Sequence, residues 1–264
     1  MFKTQNDCLY DMPAHFGGPK FDPEYVATQR ITSLVIRYET DGTLLENYVP
    51  EGFELRAPEV QVEYSKFSEI NWMAGGSYNL LNVSAPVRFN GTEDRLDGNY
   101  VLVTWESNTT PILVGREQTG IPKIFAEVED LQILKPHYTG TASYNGNTFF
   151  TVNFEAANPV TGREFNDMKA QFVSINAIGW RYIPRVGAPG AELSQFVLFP
   201  QGVELEAAQI GTSTISWVEQ TWMQNPVQYH IINSLASLPV RQVTLAAQIE
   251  GSCTLNRIGA KVLH

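Results

Sequence analysis

The segment GTASYNGNTFFTVNFE, residues 140–155, decides the fold class of this chain. Apolar and polar residues nearly alternate from Thr148 to Glu155, which is the period of a half-buried β-strand. The pair Asn145-Gly146 precedes this run, and Asn-Gly between two such runs is the strongest short signal for a hairpin turn. The segment therefore predicts two antiparallel strands joined by a tight turn.

Working outward, strand and turn signals of the same kind recur along the chain. The pairs Asn90-Gly91 and Asp97-Gly98 predict further turns, and helix is plausible only at residues 43–48, 163–170 and 228–237. We predict further strands at residues 31–38, 60–67, 83–89, 100–105, 112–114, 126–134, 172–178, 193–199, 211–217 and 238–249. Short strands at this spacing favour a mainly β (α+β) fold, an antiparallel β-barrel or double sheet with a few short helices.

Domain organisation follows from the same patterns. Residues 1–29 contain several Pro and Gly residues with little periodicity, so we expect an irregular N-terminal arm. No linker, repeat or low-complexity tract interrupts residues 30–264, which we expect to form a single domain. The 14 Phe, 11 Tyr and 5 Trp residues suffice to fill its core.

Composition narrows the classes of partner. A formal net charge of -10 argues against nucleic acid and anionic membrane, because both require clustered Lys and Arg. The two cysteines, Cys8 and Cys253, form no CxxC pair, so we expect no metal site and two free thiols in a reducing compartment. The start of the chain lacks the apolar stretch of a signal peptide, and we expect a cytoplasmic protein.

The segment GREQTGIPKIFA, residues 115–126, contains the clearest candidate for chemistry. The neighbours of Lys123 are apolar, so this lysine is either a solvated residue at a strand end or a buried amine. A fully solvated lysine is neutral in only about one molecule in a few thousand at pH 7, which makes it a poor nucleophile. Apolar surroundings disfavour the charged form of an amine, and they would activate Lys123 toward a carbonyl carbon.

The motif of Gly115-Arg116-Glu117 followed by Pro122-Lys123 resembles the Gly-Arg-Glu…Pro-Lys-Lys signature of the acetoacetate decarboxylase family. In that family the first lysine forms a Schiff base and is activated by desolvation or by a neighbouring cation. The resemblance also includes residues 38–41, 49–51, 76–78, 86–91 and 238–240. It implies the acetoacetate decarboxylase-like fold, catalysis by Lys123 without a cofactor, a small keto acid as substrate and a homo-oligomer.

The resemblance also implies further site residues. Glu63 matches an acid of the family, and Tyr78 and Gln118 can offer hydrogen bonds to a substrate oxygen. Arg116 and Glu117 belong to the motif and are either part of the substrate site or a structural ion pair.

Three positions depart from the family pattern. The second lysine is replaced by Ile124, and a catalytic glutamate after the Gly-x-Tyr turn is replaced by Leu80. The N-terminal arginine that is thought to hold the substrate carboxylate aligns with Ile31, and Arg30 is one residue away. A shift of one residue turns a side chain to the other face of a strand, so Arg30 reaches the site only if the strand is bulged.

Together these observations predict a Schiff-base carbon–carbon lyase that acts on a small keto acid, with decarboxylation of a 3-keto acid as the first candidate reaction. One alternative is an aldolase-dehydratase or cyclase of the pyruvate type that uses the same lysine. A second alternative is a catalytically inert barrel that binds an apolar or carboxylated ligand.

Overall fold

The computed structural model describes residues 1–264. Its helices are α1 (Gly42–Glu46), α2 (Thr109–Val114), α3 (Gly162–Phe172) and α4 (Tyr229–Ala236), and a π-helical turn, Gly115–Thr119, follows α2. The strands are β1 (Ala27–Glu39), β2 (Phe53–Leu55), β3 (Glu59–Ile70), β4 (Gly76–Asn90), β5 (Arg95–Glu106), β6 (Lys123–Phe125), β7 (Glu127–Val128), β8 (Gln132–Leu134), β9 (His137–Tyr144), β10 (Asn147–Pro159), β11 (Ile175–Pro184), β12 (Ala191–Trp217), β13 (Gln242–Leu255) and β14 (Lys261–Val262).

All fourteen strands belong to one sheet, in which ten follow the order β11-β5-β4-β3-β1-β13-β12-β10-β9-β7. The short strands β2, β6, β8 and β14 pair with β4, β5, β9 and β12. An additional pairing between β11 and β12 closes seven of these strands into a ring. Neighbouring strands are antiparallel except for the β5–β6 and β5–β11 pairs. The prediction of a mainly β, antiparallel barrel-like fold with a few short helices is confirmed.

The hairpin from which the fold class was predicted consists of β9, β10 and the turn between them. Asn145 and Gly146 have φ values of 50° and 76°, and a two-residue hairpin turn of type I′ needs positive φ at both central positions. Tyr144 pairs with Asn147 across the turn. The turn prediction is confirmed.

Several local predictions were wrong. The strand predicted at residues 126–134 is two short strands, β7 and β8, separated by residues 129–131, and the strand predicted at 238–249 begins only at Gln242. Ile112 and Val114 belong to α2 and not to a strand, because Asn108 caps that helix by accepting a hydrogen bond from the Thr110 amide at 2.9 Å. Asp97 and Gly98 lie inside β5 and not in a turn. A Cβ atom at Gly98 would lie 2.6 Å from the carbonyl oxygen of Asn176, so this glycine permits the close approach of β11.

The buried side chains form several clusters. The largest contains Trp105, Tyr38 and Phe150, and a second contains Ile31, Tyr78, Leu80, Val203 and Ile249 from four different strands. Strand β1 begins at Ala27, so it includes the last three residues, 27–29, of the predicted N-terminal arm. No helix of the chain is long and apolar enough to cross a membrane.

Candidate active site

Lys123 is the first residue of β6 and pairs with Thr104 of β5. The segment before it reverses direction at Gly120, which has a φ of 67°, a conformation that glycine adopts without strain. The Arg116 side chain donates a hydrogen bond of 2.9 Å to the Lys123 carbonyl oxygen. Arg116 therefore fixes the backbone that carries the lysine.

The lysine side chain lies against the end of α2. Its Nζ donates to the carbonyl oxygen of Pro111 at 3.2 Å. A Cβ atom at Gly115 would lie only 2.6 Å from the Cδ and Cε atoms of Lys123. The glycine of the Gly-Arg-Glu motif thus leaves the space that the lysine side chain occupies.

Glu106, the last residue of β5, is the partner of this amine. Its Oε1 lies 2.7 Å from Lys123 Nζ, and its side chain is completely buried while that of Lys123 is 16% exposed. Burial raises the pKa of Glu106, although the charge of Lys123 opposes this shift. Neither carboxylate oxygen has a partner that meets hydrogen-bond geometry, so the close ion pair is the main compensation for burying Glu106.

Glu106 was not among the residues predicted for the site. Leu80, where a family carboxylate is absent, is directly opposite Glu106 in the β4–β5 register. The carboxylate therefore comes from the neighbouring strand. A signal was available, because strands were predicted at residues 83–89 and 100–105 with turn signals between them. If these two strands pair, an acid at the end of the second falls opposite the start of β4.

Lys123 and Glu106 face a cavity of about 110 Å³ inside the closed part of the sheet. Its polar wall consists of Gln29, Ser33, Glu63, Asn82, Ser84, Asn99, Thr104, Glu106, Lys123 and Gln201. Its apolar wall consists of Ile31, Val35, Phe67, Tyr78, Leu80, Val101, Ile121, Phe172, Ile175, Ala177, Phe199, Val203, Ile249, Cys253 and Leu255. Only three of these side chains carry a formal charge, and Lys123 is the single cation.

Glu63 is the second acid of the cavity. Its Oε1 accepts a 2.6 Å hydrogen bond from Gln61, and its Oε2 is 3.5 Å from the amide nitrogen of Asn82. The Asn82 oxygen in turn accepts a 2.8 Å bond from the Thr104 hydroxyl. Burial raises the pKa of Glu63, and these hydrogen bonds together with the charge of Arg37 act in the opposite direction.

The structure brings together Lys123, Glu63, Tyr78 and Leu80 of the residues predicted for the site. Tyr78 lies in an apolar setting that, together with the Glu106 charge, raises the pKa of its hydroxyl well above 10.

Arg30, Arg116, Glu117 and Gln118 do not line the cavity. The β1–β3 register through Arg30 contains no bulge, so Arg30 and Ile31 face opposite sides of the sheet. Arg30 forms an ion pair with Glu206, while Ile31 faces the cavity. The Gln118 amide donates to Asp11 of the N-terminal arm at 3.2 Å.

Among the cavity residues that were not predicted from the sequence, two have a buried oxygen atom without a hydrogen-bond partner. Gln29 and Ser84 are 3% and 1% exposed, and Oε1 of Gln29 and Oγ of Ser84 have no hydrogen-bond partner in the protein. Burying a polar atom without a partner costs free energy, and a bound molecule can supply the missing hydrogen bond. No group of three or more His, Cys, Asp or Glu side chains is placed to hold a metal ion.

The fold and this site define a class of protein, in which a closed, mainly antiparallel sheet surrounds a lysine–glutamate pair. The model of the family described as acetoacetate decarboxylase (ADC) matches residues 11–261, and the chain belongs to this family. Acetoacetate decarboxylase of Burkholderia ambifaria is 24% identical over 226 residues, covering 84% of this chain and 82% of the relative.

Solved structures share the fold. The acetoacetate decarboxylase of Legionella pneumophila matches with a TM-score of 0.75 at 18% identity, covering 94% of this chain and 92% of that one. The enduracididine biosynthesis enzyme MppR, complexed with pyruvate, matches with a TM-score of 0.71 at 12% identity, covering 96% and 95% of the two chains. Family membership supports an enzyme of the lyase type.

Proposed function

We propose that this chain is a carbon–carbon lyase in which Lys123 forms a Schiff base with the carbonyl carbon of a small keto acid, and that it decarboxylates a 3-keto acid. The observation that carries the proposal is the 2.7 Å contact between Lys123 Nζ and the fully buried carboxylate of Glu106 at the wall of a cavity. The match to the acetoacetate decarboxylase family supports the choice of reaction.

Glu106 provides a route to the reactive form of the amine. An ammonium group has no lone pair, so Lys123 must release a proton before it attacks a carbonyl carbon. The Glu106 carboxylate is within reach of that proton, and its transfer leaves a neutral acid and a neutral amine. Burial raises the pKa of Glu106 and so favours the protonated form of this carboxyl group.

The chemical steps balance without any external oxidant or metal. Nζ attacks the carbonyl carbon, one proton from the amine and the proton held by Glu106 convert the carbonyl oxygen to water, and a protonated imine forms beside the Glu106 carboxylate. The bond between the substrate carboxylate and its neighbouring carbon breaks, and carbon dioxide leaves. The electron pair of that bond forms a carbon–carbon double bond, and the second pair of the imine double bond moves onto nitrogen. Protonation of the resulting enamine at carbon and hydrolysis of the imine release a ketone and regenerate the amine.

A second reaction is favoured by the same Glu106 carboxylate. A carboxylate beside the imine nitrogen is also near the carbon that is bonded to the imine carbon. The carboxylate can remove a proton from that carbon. The enamine formed in this way adds to an aldehyde or expels water, which is the alternative of an aldolase-dehydratase or cyclase. The fold shared with MppR is consistent with this alternative. A catalytically inert binding barrel is the third candidate.

Borohydride reduction tests the proposal. We expect acetoacetate or pyruvate with borohydride to leave one reduced imine adduct on the wild-type chain and none on Lys123→Ala. Its added mass is that of the substrate, or of the ketone formed by decarboxylation, less one water and plus two hydrogen atoms. Lys66→Ala is the matched control, because Lys66 lies outside the cavity and forms a surface ion pair with Asp130. Release of carbon dioxide separates the decarboxylase from the aldolase. Failure of every keto acid to label the wild-type chain would favour the inert barrel.

A further inference from the structure

The charges of the cavity pose a problem for a keto acid. Glu63, Glu106 and Lys123 are the only charged groups in its wall. In the protonated imine the charge of Lys123 lies at the reacting carbon. The two arginines of β1 do not line the cavity, because Arg30 pairs with Glu206 and Arg37 donates to Gln61. A substrate carboxylate therefore finds neutral donors such as Ser84 but no dedicated cation to bind it. Neutral hydrogen bonds are weaker than charge-assisted ones.

The apolar wall offers binding free energy of another kind. Phe199 and Val203 of β12, Ile249 and Leu255 of β13, and Phe172 at the end of α3 all line the cavity. These residues come from elements that form no strand pair with β5 and β6, which carry Glu106 and Lys123. Part of the apolar wall is thus contributed by elements away from the lysine–glutamate pair, with Gln201 of β12 as a polar neighbour.

The size of the cavity exceeds the need of the smallest 3-keto acid. A water-sized position requires about 10–15 Å³ of such volume. The 110 Å³ available therefore correspond to roughly 7–11 positions for non-hydrogen atoms. Acetoacetate has seven non-hydrogen atoms, which is the lower end of this range, and most of the side chains that line the cavity are apolar.

From these observations we propose that the substrate is a 3-keto acid with an apolar chain longer than the methyl group of acetoacetate. Burial of this chain supplies the binding free energy that a carboxylate-binding cation would otherwise supply. The inference rests on the proposed Schiff-base function and specifies its substrate class. Each buried methylene group strengthens binding about fourfold, until the cavity is full.

The test compares 3-oxobutanoate, 3-oxohexanoate and 3-oxooctanoate in borohydride trapping of the wild-type chain. We expect the concentration for half-maximal labelling of Lys123 to fall about tenfold or more from the first acid to the second. Carbon dioxide release at limiting substrate should rise in the same order. A flat series, or tighter binding of 3-oxobutanoate, would overturn the inference.

The substitution Val203→Phe tests where the apolar chain of the substrate binds. Filling the apolar wall at this buried position should bring the half-saturating concentrations of the longer acids up to that of 3-oxobutanoate, so that their ratio falls towards one. Val173→Phe is the matched control, because Val173 is 59% exposed and outside the cavity wall, and it should leave the series unchanged. An unchanged preference in Val203→Phe would also contradict the inference.

Failure of the inference and failure of the proposed function give different results. Labelling of Lys123 by all three acids without the expected order removes the inference and leaves the Schiff-base function intact. Absence of labelling by any of them removes both.

Discussion

The two buried acids of the cavity, Glu106 and Glu63, are stabilised in different ways. Glu106 has a single compensating group, the Lys123 amine at 2.7 Å, and no regular hydrogen bond. Glu63 is held by neutral amides, a 2.6 Å bond from Gln61 and a longer contact from Asn82, with Arg37 behind them. An acid whose only partner is a cation can exchange a proton with it, whereas an acid held by amides is fixed in position. We therefore assign proton transfer to Glu106 and positioning to Glu63.

Glu106→Gln breaks the comparison most directly. The substitution keeps the side-chain volume but removes the group that accepts the Lys123 proton, so turnover should fall about 10²- to 10⁴-fold. Steady-state release of carbon dioxide, or of aldol product, measures this loss. Glu63→Gln is the reference, and an equal or larger loss in that variant would reverse the two assignments.

Gly115→Ala tests whether the amine must be placed accurately beside Glu106. Gly115 has ordinary helical backbone angles, so the added methyl group acts only through its clash with the lysine Cδ and Cε atoms. We expect about a hundredfold loss of turnover and about 1–3 kcal/mol of lost stability. In the control Gly42→Ala the nearest atom lies at 3.3 Å, and turnover should be retained.

The pH dependence of stability sharpens the assignment of Glu63. Its pKa is raised in the folded chain, so its contribution to stability is full below its usual value of 4.5 and is lost as the pH rises through the raised pKa. Denaturant unfolding should therefore show wild-type stability falling relative to Glu63→Gln as the pH increases above 4.5. A constant difference between the two proteins across that range would show that burial does not shift this pKa.

Arg30→Ala should have the smallest effect. The ion pair of Arg30 with Glu206 is largely solvent-exposed, and such pairs contribute about 0–1 kcal/mol. Because Arg30 faces away from the cavity, half-saturation of Lys123 labelling by a keto acid should not change. A large rise in the half-saturating concentration would show that this arginine reaches the substrate after all.

The sequence permitted prediction of the fold class because its hairpin signals are local. Asn145-Gly146 specifies a turn through the φ values of two residues, whatever the rest of the chain does. Asp97-Gly98 is a turn signal of the same kind, but it lies within β5, where the close approach of Asn176 from β11 requires the glycine. That approach joins residues far apart in sequence, and no local pattern reveals it.

The same distinction holds for the site. Lys123 could be identified because its motif is contiguous, and Ile31 and Arg30 could be weighed by strand alternation alone. Glu106 could not, because its role depends on the register that places it opposite Leu80 and on the parallel pairing of β6 with β5. Likewise, the unpartnered oxygens of Gln29 and Ser84 become apparent only when the ring of strands closes.

The central claim is that the Lys123 amine in the cavity is the nucleophile. The most direct measurement is proteolytic digestion of the borohydride-reduced wild-type chain, followed by fragmentation of the labelled peptide to locate the modified residue. Our account predicts a single substrate-derived modification on Lys123, with the exposed lysines unmodified. A label distributed over surface lysines, with Lys123 unmodified, would contradict it.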